Sequence, residues 1–443
     1  MEHPSTYIQK HWRRNWIAYL GDYLGFGIGL IFANTTTTLP AFAAELTNNK
    51  MLIGAVSSVW AGGWLLPQIF AARYLSNKPR KYPAMIIGQL VGRPAFPLFV
   101  VWLLAGGARY PELTLALFLL AIVIFMSTDA VVALAYLDMF GKAMPPQKRG
   151  RLIGLGQVIT GLMAVGAGAL IRQLLGPAGP GFPMNYAIIF GLASIGFAVS
   201  TVACLLMVEA PEAVEARRPS LREYVPVLGR LWRADRRFNR ITTVRLLSGI
   251  GSLATSFYVV YAIDWLHLPP AAIGLFAAAA TVGTAVSGLL LGLVADRYGS
   301  QRVVQVVTWA QFLVPVLALL CHLGVFGASV GVVYPLLFVL LGVYEGSVML
   351  GFLNFVLEIA PPGQRPTYIG LTNTLSGVLI VLPVLGGFVL QRTSYPVLFG
   401  AAAVGTLAAA LMALGLSNPR VSPASAQEPE GAAVMPEAPQ PHS

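Results

Sequence analysis

The chain has 443 residues, of which 56% are hydrophobic and only 11% are charged, with a formal net charge of +11. A soluble domain carries about 25% charged residues, so this chain lacks the polar side chains that a water-facing surface needs. The composition therefore excludes a soluble globular protein, and it excludes disorder for all but roughly the last 25 residues. It predicts an integral membrane protein.

Twelve apolar runs follow one another along the chain, and a helix that crosses the hydrocarbon core takes about 20 such residues. The runs lie near residues 15–43, 51–73, 82–106, 111–141, 151–175, 184–208, 241–266, 271–295, 302–326, 330–358, 367–391 and 395–416. They are too long for the strands of a membrane barrel. The first run also exceeds the apolar segment of a signal peptide, so we expect it to stay in the membrane. The sequence thus predicts an all-α integral membrane protein with 12 transmembrane helices.

Lysine and arginine are distributed unevenly between the two sides of these runs. If the N-terminus is cytoplasmic, nearly all basic residues fall on cytoplasmic ends and loops. The exceptions are Lys50, Arg109, Arg172 and Arg392 on the outer side, and Arg93 within the third run. This positive-inside pattern predicts a multi-pass protein of the cell (inner or plasma) membrane with both termini in the cytoplasm. The same pattern accounts for the positive net charge, because the basic residues lie at the surface of the lipid bilayer. No nucleic-acid partner is needed to explain the charge.

The longest loop, residues 209–240, separates six runs from six. We therefore expect five segments: a cytoplasmic N-terminus, a first half, a basic linker, a second half and a disordered cytoplasmic tail, at residues 1–14, 15–208, 209–240, 241–416 and 417–443. Apolar residues recur at helical spacing in the linker between arginines, which predicts an amphipathic helix on the inner membrane surface. A plain domain linker and a calmodulin-like partner site remain alternatives.

The two halves contain a sequence repeat. Residues 145–161, PPQKRGRLIGLGQVITG, align with residues 361–377, PPGQRPTYIGLTNTLSG, at an offset of 216. Pro, Pro, Arg, Ile, Gly, Leu and the final Gly coincide. Parallel repeats with a binding site between them are a transporter architecture, so we expect two pseudo-symmetric halves of six helices each.

Two motifs in the second half resemble those of the major facilitator superfamily. Residues 292–302, GLVADRYGSQR, are similar to the family's signature between helices 8 and 9. The matching positions are Gly292, Asp296, Arg297, Gly299 and Arg302. Glu358 and Arg365 resemble the signature after helix 10. The resemblance covers about residues 12–416 and implies alternating access through a central cavity lined mainly by helices 1, 4, 7 and 10.

The first half lacks the acids of these motifs. At the repeat offsets, Ser76 takes the position of Asp296 and Lys142 that of Glu358. In the family, these groups belong to a charge network that latches the cytoplasmic side when it is closed. We therefore expect an asymmetric cytoplasmic gate built from the second half alone. The alternative is that these residues are ordinary interfacial charges.

Two acids lie at equivalent depths within the predicted helices. Asp129 and Glu345 are each 13 residues before the cytoplasmic end of their helix, roughly 20 Å into the membrane, and they are related by the 216-residue offset. An ionised group at that depth costs at least about 2.5–3.5 kcal/mol, so a functional role is indicated. Each acid can take up a proton when it is desolvated, or can stay charged beside a cationic substrate. The alternative is a fixed ion pair, for example between Asp129 and Arg93.

Three further charged residues lie within or near the spans. Asp22 is about two turns inside helix 1, where it can serve the inner gate or proton access. Arg93 is deep in helix 3 and needs an acid or a cavity, with Asp129 and Asp22 as candidates. Asp138 precedes Lys142 by four residues on helix 4, a spacing that predicts a local ion pair.

Polar side chains at corresponding places on helices 1 and 7 predict hydrogen-bonding groups in the cavity wall. These are Asn34, Thr35, Thr255, Ser256, Tyr258 and Tyr261. The alternative is that the hydroxyl groups bond to carbonyls of their own helices.

The chain carries no phosphate-binding loop, and no cluster of residues that would hold a metal, a cofactor or a hydrolytic centre. We therefore expect a protein that is not an enzyme and needs no cofactor. The leading hypothesis is a secondary active transporter of a small molecule, with proton coupling through Asp129 and Glu345, that functions as a monomer. The alternative is a transporter-like sensor or regulator that binds a ligand without moving it.

Overall fold

The computed structural model describes residues 4–76, 78–209, 235–361 and 365–418, and regular secondary structure in these ranges is entirely helical. We number the helices α1 to α12 by the apolar run that each contains. The first half holds α1 (Pro4–Phe32, continued as Thr38–Leu46), α2 (Lys50–Ser76), α3 (Tyr82–Gly92 and Ala95–Leu104), α4 (Pro111–Ala143), α5 (Pro146–Leu174) and α6 (Met184–Leu205). The predicted all-α membrane architecture is confirmed.

The second half repeats this arrangement. It holds α7 (Arg236–Gly249, Ser252–Thr255 and Phe257–Asp264), α8 (Ala272–Tyr298), α9 (Ser300–His322), α10 (Val330–Val333, Pro335–Val348, Met349–Leu353 and Asn354–Ile359), α11 (Arg365–Ser376, Gly377–Val381 and Leu382–Arg392) and α12 (Tyr395–Leu414). Within each half, the first helix packs on the sixth, the second on the fourth and the third on the sixth. The same pairings in both halves agree with the sequence repeat.

Eleven helices in the described ranges are long and apolar enough to cross a membrane, and they coincide with the second to twelfth predicted runs. The first run falls on α1, which is a long helix but a less apolar one. Its membrane segment carries Asn15 and Asp22, which are both buried in the protein. A helix that buries polar side chains against its neighbours does not need a continuous apolar surface. This explains why hydropathy alone does not identify α1 as a membrane span.

Two helices of the first half are interrupted at polar residues. In α1 the side-chain oxygen of Asn34 accepts hydrogen bonds from the Thr36 amide (2.9 Å) and from the hydroxyls of Thr36 and Thr37 (2.8 and 3.0 Å). These bonds replace helical backbone bonds where the chain bends. In α3 the break comes at Arg93, immediately before Pro94, whose nitrogen has no hydrogen to donate. The break presents Arg93 between two helical segments in the middle of the fold.

The two halves meet mainly along two helix pairs, α2 with α11 and α5 with α8. Glycines allow the backbones to approach closely at both places. A Cβ atom on Gly54 would collide with the carbonyl of Pro383, and one on Gly168 would collide with that of Gly274. These contacts run along the sides of the molecule and leave the centre between the halves open.

The boundary of the linker differs from the predicted one. Helix α7 begins at Arg236 rather than at residue 241, because the carboxylate of Asp235 accepts hydrogen bonds from the amides of Arg237 and Phe238 (2.9 and 3.0 Å) and caps the first turn. The amphipathic helix expected in the linker and the disorder expected in the tail concern residues outside the described ranges.

Candidate functional site

A cavity of about 910 Å³ lies between the two halves. All four helices expected from the family resemblance, α1, α4, α7 and α10, contribute to its wall, together with α2, α3, α5, α8, α9 and α11. Its charged lining residues are Asp22, Arg93, Asp129, Arg245 and Glu345. The rest of the wall is mainly apolar and aromatic, as expected of a small-molecule binding site.

Two polar contacts join the halves on the side opposite the chain termini. The Lys50 ammonium lies 3.2 Å from the Asp264 carboxylate. Deeper in the molecule, the hydroxyls of Ser57 and Ser256 are 2.7 Å apart. Both contacts pair α2 with α7 and hold the halves together on that side of the cavity.

Arg93 and Asp129 form an ion pair at the cavity wall, 2.9 Å between Nη2 and Oδ1. Both side chains are nearly buried, with 10% and 11% of their surface exposed. The guanidinium also lies 4.7–5.3 Å from the ring centres of three phenylalanines, Phe26, Phe125 and Phe197. Of the two partners predicted for Arg93, the structure selects Asp129. The guanidinium is therefore stabilised both by cation–π contacts with the rings and by a charge-assisted hydrogen bond to the carboxylate.

Asp22 is buried and accepts hydrogen bonds from the Ser200 hydroxyl (2.6 Å) and the Cys204 thiol (3.2 Å). These bonds join α1 to α6, and Asp22 is also among the residues that line the cavity. Asp138 lies outside the cavity lining. Its carboxylate is 2.6 Å from Lys142, as the four-residue spacing predicts, and 2.7 Å from Lys81.

Glu345 has a different environment from Asp129, although the repeat relates the two positions. Its side chain is exposed to the cavity, deep within the fold, and no ion pair to it occurs in the described part of the chain. The next residue, Gly346, packs closely against Thr284 and Ser287 of α8. One turn further, α10 widens into a π-helical segment, Met349–Leu353, a feature frequent near functional sites. The two acids therefore share one cavity, but only Asp129 is paired.

Arg245 is a cavity residue that the positive-inside pattern does not reveal, because that pattern assigns it to the cytoplasmic charges at the start of helix 7. It is half-buried in the cavity wall beside Tyr344. Because α7 begins at Arg236, Arg245 is more than two helical turns inside the span. The signal in the sequence that points to it is its place inside the predicted apolar run 241–266.

The polar residues predicted for the cavity wall are only partly found there. Asn34, Thr35 and Thr255 line it. Ser256 is fully buried in its contact with Ser57.

The two predicted tyrosines of α7 pack elsewhere, contrary to expectation. Tyr258 stacks on Phe399, with ring centres 5.2 Å apart, and the Tyr261 hydroxyl lies 3.1 Å from Nδ1 of His322. Both tyrosines are fully buried in these contacts and do not line the cavity.

The predicted gate residues lie where α8, α9 and α10 end on the side of the chain termini. Gly299 has a φ of +86°, a conformation that glycine adopts without strain, and it turns the chain from α8 into α9. Glu358 accepts a 2.5 Å hydrogen bond from the hydroxyl of Ser300, which ties the end of α10 to the start of α9.

The remaining gate positions are distributed around this turn. Gly292, Asp296 and Arg297 lie on the last turns of α8, and the Arg297 guanidinium is 5.4 Å from the Tyr298 ring centre. Arg302 donates to Gln305 at 3.0 Å. The side chains of Arg365 and Ser76 lie outside the described residues.

Comparison with known structures finds the same fold in transporters of diverse substrates. The nucleoside transporter NupG is 15% identical, with a TM-score of 0.62, and the alignment covers 91% of this chain and 98% of that one. For a D-xylose–proton symporter the values are 14%, 0.65, 93% and 98%. For a bacterial homologue of the iron transporter ferroportin, in an inward-facing state, they are 16%, 0.63, 91% and 98%. Among curated proteins, none matches the sequence significantly.

The sequence profile described as Major Facilitator Superfamily matches residues 16–382, and it matches again over residues 241–440. The first match alone covers far more than half of the chain, and the second begins at the predicted start of the second half. Together with the helix pairings, these matches show that the chain belongs to the major facilitator superfamily of secondary transporters, which are not enzymes.

Proposed function

We propose that this secondary transporter moves a small molecule by alternating access and that a proton carried by Glu345 drives the movement. The observation that supports the proposal best is the Glu345 carboxylate, which is exposed in the cavity between the halves and has no ion-pair partner among the described residues. A carboxylate in that position changes its hydration when the halves rock, and hydration decides whether it holds a proton.

Asp129 has a different role in this proposal. Its charge is already compensated by Arg93 at 2.9 Å, so a proton would first have to displace an ion pair. We assign the pair to bracing α3 against α4 beside the cavity. Asp22 accepts hydrogen bonds from two neutral donors and so connects α1 to α6. We assign it to the path by which a proton moves between the cavity and the side of the first half where the chain termini lie.

The contacts between the halves define one state of the alternating-access cycle. The Lys50–Asp264 and Ser57–Ser256 contacts close the side opposite the termini. The positive-inside pattern supports cytoplasmic termini and a place in the cell membrane, and in that orientation this state faces inward. Both walls of the cavity come from one chain, which supports a functional monomer.

The first prediction separates a transporter from a ligand sensor. Purified protein in lipid vesicles is offered a metabolite mixture under an inward proton gradient, and the vesicle contents are identified by mass spectrometry. We expect at least one small molecule to accumulate above the level in protein-free vesicles, and to lose that excess when the gradient is collapsed. Ligand-induced stabilisation of the protein without accumulation of any compound would support the sensor instead.

The second prediction concerns the cytoplasmic gate. Asp296→Asn is expected to lower the transport rate far more than Ser76→Ala, because only the second half carries the acids that can latch the closed state. The comparison uses initial rates of the same substrate in vesicles with equal protein content. Similar losses for both variants would show that the asymmetry between the halves has no mechanical role.

A further inference from the structure

Arg245 introduces a positive charge that the proposed transport function leaves unexplained. It is half-buried in the wall that the second half contributes to the cavity, and no acidic partner lies beside it among the described residues. The other cavity arginine, Arg93, is paired with Asp129 and surrounded by three phenylalanine rings. A cation inside the membrane requires a counter-charge, and for Arg245 the described chain does not supply one.

Two polar groups near the same wall also lack partners. Gln311 of α9 is 3% exposed, and its side-chain oxygen makes no hydrogen bond in the described structure. The hydroxyl of Ser252, on α7 with Arg245, is likewise buried without a partner. Both residues line the cavity. Buried polar groups are almost always hydrogen-bonded, so the Ser252 hydroxyl and the Gln311 amide mark a polar part of the wall on the side of the second half.

Much of the remaining lining is apolar or aromatic. Phe26, Leu30, Trp60, Trp64, Leu65 and Ile380 contribute to this part. The volume of about 910 Å³ accommodates a drug-sized molecule. A ligand that satisfies both parts has an acidic group at one end and an apolar or aromatic body.

We propose, as a refinement that rests on the proposed transport function, that the substrate is an organic anion whose acidic group binds Arg245, and that it moves together with the proton on Glu345. With Glu345 ionised, the wall of the second half carries one positive and one negative charge. Protonation of Glu345 leaves the charge of Arg245 alone to attract the anion. Proton and anion therefore favour each other's binding, which is the requirement for symport.

The remaining ionisable groups of the cavity do not reverse this balance. Arg93 and Asp129 cancel each other, and the carboxylate of Asp22 is bonded to Ser200 and Cys204 of α6, so its charge belongs to the first half and not to the wall that carries Arg245. Tyr23, Tyr136 and Tyr344 are the other titratable side chains in the lining, and a neutral tyrosine adds no charge. A cationic substrate, by contrast, would compete with the proton for Glu345 and would leave Arg245 without a role.

The test compares ligands of equal shape and different charge on the purified full-length protein. The probes are aromatic carboxylates of increasing length, starting with benzoate. Each is compared with two analogues, in which a primary amide or an amine replaces the carboxylate group. Melting temperature is followed against probe concentration to give an apparent affinity. We expect stabilisation by carboxylates, weaker stabilisation by the amides and none by the amines. In Glu345→Gln, carboxylate binding should persist and lose its dependence on pH.

Arg245→Gln is expected to weaken carboxylate binding at least about tenfold, since it removes a charge-assisted hydrogen bond. Arg245→Lys, which keeps the charge, should retain part of the affinity and guards against a purely structural loss. The matched control is Arg236→Gln on the first turn of the same helix, outside the cavity lining, which should bind as the wild type does.

The outcomes separate this inference from the proposed function. The anion assignment is wrong if amines or amides stabilise the protein as well as carboxylates do, or if no carboxylate stabilises it. It is also wrong if Arg245→Gln binds carboxylates as the wild type does. In each of these cases, proton-driven accumulation of another compound would still support the transport proposal. If carboxylates bind in an Arg245-dependent way but never accumulate in vesicles, the anion assignment stands and the transport proposal is wrong.

Discussion

Glu345→Gln is expected to abolish gradient-driven accumulation while substrate exchange at equal pH on both sides survives. Glutamine keeps the shape of the neutral side chain but cannot release a proton, so the substrate cycle continues without its link to the gradient. One pH unit is worth about 1.4 kcal/mol, or about tenfold accumulation for one coupled proton. The ratio of internal to external substrate should therefore fall from about tenfold to about one in such a gradient. Accumulation and exchange are measured with labelled substrate in the same vesicle preparation.

The control is Glu112→Gln, which removes an exposed acid in the first turn of α4, away from the cavity. It should leave both activities unchanged. Intact accumulation in Glu345→Gln would show that another group carries the proton. A joint fall of accumulation, exchange and binding would show instead that Glu345 holds the substrate directly, as a cationic ligand requires.

Loss of Arg93 is expected to destabilise the membrane region strongly. Arg93→Met leaves the nearly buried Asp129 without its partner at 2.9 Å and also removes the cation from three phenylalanine rings. Breaking a buried ion pair from one side costs about 3–5 kcal/mol of unfolding free energy. Arg93→Met combined with Asp129→Asn should recover most of that cost, because no uncompensated charge remains. Chemical unfolding of the two single variants and the double variant gives the coupling energy.

Asp138→Asn is the comparison variant for this set of unfolding measurements. Its carboxylate pairs with Lys81 and Lys142, but it is about 30% exposed at the edge of α4. Such a pair contributes only about 0.2–1 kcal/mol, so this variant should be close to wild type. If Arg93→Met is no less stable than Asp138→Asn, or if the double variant is as unstable as the single ones, the pair does not brace the first half.

Much of the architecture follows from local features of the sequence. An apolar run of sufficient length forms a helix in the membrane whatever surrounds it, because the backbone must satisfy its own hydrogen bonds there. The predicted runs therefore fall on the helices, apart from their exact ends. The Asp138–Lys142 pair follows from the same logic, since a four-residue spacing places two side chains together on any helix. The repeat offset also identified Asp129 and Glu345 as residues of equal depth, and both line the cavity.

Contacts between helices were decided only by the tertiary structure. The sequence left both Asp129 and Asp22 as candidate partners for Arg93, and the packing of α3 against α4 selected Asp129. Tyr258 and Tyr261 pack against Phe399 and His322 instead of facing the cavity, because these partners come from α9 and α12, which residue spacing within α7 does not reveal. The positive-inside pattern assigns Arg245 to the cytoplasmic end of α7, whereas the helix begins at Arg236 and places Arg245 in the cavity wall. Residue spacing fixes which side chains share a helix face, but the direction of that face depends on breaks, tilts and close packing at glycines such as Gly54 and Gly168, which arise only when all the helices pack together.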